Sequence, residues 1–150
     1  MISPRSLSDQ HLIAEYNEIL MLLGYVKKFP SLDGLPERYS LGVGHIRFFK
    51  NKLKYLEKRH REIVREMRKR NFSINRNFDL RLKEFVQVKD SDEYFRDQLS
   101  SAHMGDWIPR EEDIKIIKKR IIDKIKLKPK WYRYYGENKN LKFFKELMNG

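Results

Sequence analysis

Residues 44–71 read GHIRFFKNKLKYLEKRHREIVREMRKRN, and this stretch decides the fold class. Ile46, Phe49, Leu53, Leu56, Ile63 and Met67 fall at three- and four-residue steps or their sum, with Glu, Lys and Arg on the other faces. That is the apolar stripe of an amphipathic helix, not the period-two alternation of a strand. Gly44 marks its approach and Asn71 its stop.

The same reading extends outward in both directions. Upstream, Leu12, Ile13, Tyr16, Ile19, Leu20 and Leu23 make a second helical stripe, with Ser8 or Ser6 as N-cap and an end before Pro30. A loop carrying Gly34 and Pro36 then runs to about Gly44. Downstream of Asn71 the pattern weakens, and the clusters Phe78–Leu82 and Phe85–Val88 predict loops with one or two short helices. After Trp107-Ile108-Pro109, the acids Glu111, Glu112 and Asp113 suit a helix N-terminus, and Ile114, Ile117, Ile121 and Ile125 form the third stripe, which Pro129 ends. Leu141, Phe144 and Leu147 predict a short terminal helix. The expected fold is all-α: a single compact domain over residues 1–150, with three main helices and an irregular, loop-rich segment before the third.

A chain of 150 residues buries about two-thirds of its unfolded surface in one core. There is no cysteine, which excludes disulfide frameworks, Cys-zinc sites and thiol nucleophiles. No stretch approaches the ~20 apolar residues of a membrane span, and the start Met-Ile-Ser-Pro-Arg is no signal peptide, so a cytoplasmic, nucleoid-associated protein without membrane contact is expected. The formal charge is +12, concentrated in residues 44–70 (net +8) and 108–133 (net +6). Both segments carry apolar stripes, so the charge is expected on folded helices facing a polyanion such as nucleic acid.

On the first helix His11, Glu15 and Glu18 stand at i, i+4 and i+7, either a solvated edge or a ridge bearing an imidazole and two carboxylates. His60 sits in an apolar position and reads as a core histidine, and His45 follows Gly42-Val43-Gly44, which is not a phosphate-loop pattern. Four scattered histidines give no paired ligand motif, so neither metal nor cofactor is expected. Arg120 and Lys124, one turn apart, are phosphate clamps or a solvated basic face. Trp131, Tyr132, Arg133 and Tyr134 offer rings for base stacking or for packing against the helices.

The runs Leu7-Ser8-Asp9-Gln10-His11-Leu12-Ile13-Ala14-Glu15-Tyr16, Leu41-Gly42-Val43-Gly44-His45 leading to Phe48-Phe49, and Pro129-Lys130-Trp131-Tyr132-Arg133-Tyr134-Tyr135-Gly136 occur in that order. Together they resemble the pyrimidine-dimer DNA glycosylases of the T-even phage endonuclease V type, over about Ile2 to Gly136. The resemblance implies a compact three-helix domain that acts as glycosylase and abasic-site lyase on damaged double-stranded DNA, as a monomer. It implies attack by the α-amine of the chain on a sugar C1′, giving an imine that breaks the 3′ phosphate bond by β-elimination. An α-amine with a pKa near 8 keeps a useful neutral fraction at pH 7, unlike an ordinary lysine. By the same resemblance Glu18 is the assisting carboxylate and His11 belongs to the site. Arg120, Lys124, His45 and the Trp131–Gly136 segment lie toward DNA.

The departures are specific. Members of the family open with Met-Thr-Arg, then Ile or Val, then Asn. This sequence begins about five residues later, so the expectation is that residues 1–150 bind DNA without the family's nucleophile. Asn17 and Met21 stand where the family has arginines, and the loop between Asn71 and Trp107 is longer, both of which bear on lesion specificity. The alternative is a non-catalytic double-stranded DNA-binding protein on the same scaffold. A purely structural or RNA-binding helical protein accounts for the charge but not for the ordered motifs.

Overall fold

The computed structural model describes residues 2–76 and 101–150. The described residues are all-α, with helices α1 (Asp9–Lys28), α2 (Val43–Phe48), α3 (Leu53–Lys69), α4 (Glu111–Leu127) and α5 (Leu141–Asn149), and one two-stranded hairpin of β1 (Arg133–Tyr134) and β2 (Glu137–Asn138). The clusters Phe78–Leu82 and Phe85–Val88 lie outside the described residues. No described helix is long and apolar enough to cross a membrane.

The chain groups into two compact units, one of Met1–Tyr16, Ile63–Ser73 and Ile108–Gly150, the other of Asn17–Glu62 and Ile74–Trp107. Two of the four divisions, after Tyr16 and after Glu62, fall inside helices, α1 and α3. The first unit buries Ile2, Leu7, Leu12, Ile63, Ile125 and Phe144; the second buries Leu20, Leu23, Phe48, Phe49, Leu53 and Leu56.

α1 starts where Ser8 caps it: the serine hydroxyl accepts the His11 N–H at 3.1 Å, satisfying one of the orphan donors of the first turn. Asp9 in that turn and Lys27 and Lys28 in the last one suit the helix dipole. The helix passes through Gly24 and ends before Pro30, while Ile13 of the expected stripe is exposed.

The long helix read from residues 44–71 is in fact two. A 3-10 turn at Phe49–Asn51 separates α2 from α3 because the backbone here bonds to a distant strand of chain. The Asn51 carbonyl accepts from the Gly105 N–H at 3.0 Å, and the Tyr55 N–H donates to the Gly105 carbonyl at 3.3 Å. Residue 105 must be glycine, since a Cβ there would stand 2.3 Å from the Asn51 carbonyl oxygen. Asn71 does stop α3, with φ 62° and a Schellman pair, Phe72 N–H to Met67 carbonyl and Asn71 N–H to Arg68 carbonyl, both 3.0 Å.

The Trp131–Gly136 segment supplies the first strand and the turn of the hairpin, which the helical periodicities did not foreshadow. Tyr135 and Gly136 both have positive φ, 50° and 81°, the two-residue turn of type I′. Its amides are held by Asp9, whose carboxylate accepts from Tyr135 N–H at 3.1 Å and Gly136 N–H at 2.8 Å. Most of the basic side chains of the two charged segments are displayed, with three exceptions, Lys50, Arg59 and Arg70, which are buried. Arg70 donates to Asp9 (2.9 Å), Glu66 (3.0 Å) and the Leu7 carbonyl (2.9 Å), and its guanidinium lies over the Tyr134 and Tyr135 rings. Burial without unpaired charge is what such a network achieves.

Candidate active site

In the first unit the chemistry gathers around His11. The Ser8 hydroxyl that caps α1 also meets His11 Nδ1 at 2.7 Å, and the Tyr132 ring stacks on the imidazole. The same serine oxygen thus engages both the backbone amide and the ring of His11. The His11 Nε2 is buried and has no hydrogen-bond partner among the described residues. Burial, and then the charges of Lys124 and Arg120, lower the His11 pKa to about 4, so the ring is neutral at pH 7.

Arg120 is half-buried and Lys124 exposed on α4. Trp131 is exposed beneath Lys128, whose Nζ lies 5.0 Å from the indole centroid, and Arg133 is exposed as well. Gln10 braces this segment from α1, donating to the Trp131 carbonyl and accepting the Arg133 N–H, both at 2.9 Å. Two of the rings read as stacking surfaces are engaged inside the unit. Tyr132 is buried against His11, and Tyr134 covers Arg70 while its hydroxyl donates to the Arg5 carbonyl at 2.9 Å.

In the second unit Glu18 meets His45, with Oε1 2.7 Å from Nε2. The carboxylate is about a third exposed and the imidazole nearly covered, 31% against 12%. Edges of Tyr39 and Phe49 pack the His45 ring, and its Nδ1 is buried with no hydrogen-bond partner among the described residues. The covered histidine thus fixes a carboxylate that still reaches solvent. Beside Glu18, Asn17 accepts from Arg76 at 3.4 Å, and Met21 is exposed. His60 is buried as expected of a core histidine. No group of metal-ligating side chains occurs among the described residues.

A family model for pyrimidine dimer DNA glycosylase matches residues 1–80, more than half of the sequence. The chain belongs to that family. Membership makes DNA its substrate class and base excision in DNA repair its functional class. The matched residues include His11, Glu18 and His45, while Arg120, Lys124 and the Trp131–Tyr134 segment lie outside them.

The Ser8–His11–Tyr132 grouping and the Glu18–His45 pair were not visible as contacts in the sequence. Only the first left a signal: a capping serine followed three residues on by histidine sets the two side chains over the same helix turn.

Proposed function

We propose that the chain is a glycosylase with abasic-site lyase activity on UV photoproducts or related base lesions in duplex DNA, working as a monomer through an imine between an α-amine and the sugar C1′. The observation that carries this reading is the Glu18–His45 pair. A carboxylate anchored by a covered imidazole yet open to solvent is preorganised to stabilise positive charge developing on the sugar and to move protons during imine formation and β-elimination.

His11 supports the reading from the other unit, as an imidazole that is neutral at pH 7 and whose buried Nε2 has no partner among the described residues. Arg120 and Lys124 supply cations for phosphates, and exposed Trp131 and Arg133 supply contacts to the backbone or to bases. Tyr132 and Tyr134 serve indirectly, through His11 and Arg70.

Nicking of supercoiled plasmid by the chain with Met-Thr-Arg-Ile-Asn joined ahead of residue 1 tests the reading. Nicks that scale with the ultraviolet dose given to the plasmid support it; tight binding to irradiated DNA with no nicks above those on untreated plasmid favours the non-catalytic DNA-binding protein instead.

A further inference from the structure

The first few residues of a domain usually fray unless something ties them down. Here the stretch before α1 is held at several points. Ile2 and Leu7 are buried at 5% and 2% exposure, and Pro4–Ser6 form a 3-10 turn. Three of its backbone carbonyls are taken by side chains: Pro4 and Leu7 accept from Arg70 at 3.3 and 2.9 Å, and Arg5 accepts from the Tyr134 hydroxyl at 2.9 Å. From the other side the Ser6 hydroxyl donates to the Leu147 carbonyl of α5 at 3.2 Å.

α5 is built to stay where it is. Asn140 caps it by accepting the Phe143 N–H at 2.9 Å, and Phe144 and Met148 are buried. Phe143 meets the Tyr134 ring at 5.3 Å, so the helix also supports the tyrosine that holds Arg5. α5 lies beyond residues 1–80 and beyond Gly136, outside every motif that the chain shares with the glycosylase family.

We infer that α5, with Arg70, is a clasp that fixes the path of residues 2–7 and thereby positions the N-terminal amine for reaction at the sugar. Captured carbonyls fix the direction of a backbone as well as its place, so an amine at the end of this segment starts from a set origin. The rate of imine formation depends steeply on that origin, since an error of ~1 Å costs about a hundredfold. Phe144, Ser6 and Arg70 are positioning residues in this scheme and touch no substrate. The inference rests on the α-amine reading above.

The test uses the full chain, with and without Met-Thr-Arg-Ile-Asn joined ahead of residue 1, on duplex DNA containing an abasic site. Hydrogen exchange at the Ser6 and Leu7 amides reads the clasp, and the single-turnover rate of borohydride trapping reads its consequence. Phe144→Ala is expected to speed exchange and slow trapping, each by about tenfold or more, with the Kd for the same DNA within about twofold. Ile63→Val, a core change away from the clasp, is expected to alter neither rate, which separates positioning from general loss of stability. If Phe144→Ala does not fold, Ser6→Ala decides, with the same directions and smaller factors. Unchanged exchange, or fast exchange with unchanged trapping, overturns the clasp. Absence of trapping by wild-type chain in both forms overturns the amine reading and the positioning with it, while exchange still reports whether α5 anchors the segment.

Discussion

His11 and Tyr132 lie ring on ring, with centroids 4.8 Å apart and planes 7° from parallel. The tyrosine is part of the burial that, with Lys124 and Arg120, lowers the histidine pKa from 6.5 to about 4. The unfolded chain therefore binds one more proton at this residue between those two values. Stability falls as pH drops from about 6.5 to about 4, by at most about 3 kcal/mol, and this contribution is constant above and below that window. Denaturant midpoints for wild type and His11→Gln across pH 4–8 are expected to converge toward low pH. Parallel profiles would refute the assignment.

Arg70 sits between two buried carboxylates, Asp9 and Glu66. Arg70→Met keeps much of the volume but leaves both without their cation, and is expected to cost about 3–5 kcal/mol. In a chain of this size that is a drop in Tm of about 10 °C or more. A loss below 1 kcal/mol would mean that the network contributes little to holding the hairpin and the start of α1.

Much of this architecture was legible beforehand. The stripes of α1, α3 and α4 and the stops at Asn71 and Pro129 are local, and short-range physics fixes them. The break at Phe49–Asn51 was not, because the group that competes for the Asn51 carbonyl is the amide of Gly105, far along the chain, and three- and four-residue steps run through a 3-10 turn without losing phase. The hairpin escaped for a related reason. Its turn is set by the Asp9 carboxylate, and a Tyr-Gly turn between two-residue strands leaves no alternation to read. In the candidate site, types and positions were readable but partners were not: Glu18 and His45 are 27 residues apart, and nothing in either neighbourhood announces their contact.

Affinity for duplex DNA should fall with salt by about 0.9 log unit per log unit of salt for each phosphate neutralised. Arg120→Ala and Lys124→Ala are each expected to lower that slope by about one phosphate. Fluorescence anisotropy from 50 to 300 mM salt checks it, and a slope untouched by both substitutions would remove these residues from the DNA contact.

On the proposed reading His45 acts through Glu18, which it contacts at 2.7 Å, so the two substitutions should not be additive. His45→Phe fits the aromatic surroundings of Tyr39 and Phe49 but loses the contact to the carboxylate. Base release is expected to slow by about tenfold or more with binding retained, and adding His45→Phe to Glu18→Gln should change nothing further. Multiplicative losses in the double variant would show that His45 works independently.

The central claim, imine chemistry assisted by Glu18, is tested most directly by borohydride trapping on duplex DNA carrying a single cyclobutane pyrimidine dimer, using the chain with Met-Thr-Arg-Ile-Asn ahead of residue 1. The account predicts a covalent adduct that maps to the N-terminal peptide, present with wild type and with Glu15→Gln, and absent with Glu18→Gln although that variant binds the same DNA. An adduct of equal yield from Glu18→Gln, an adduct on an internal lysine, or none from the wild type would contradict it.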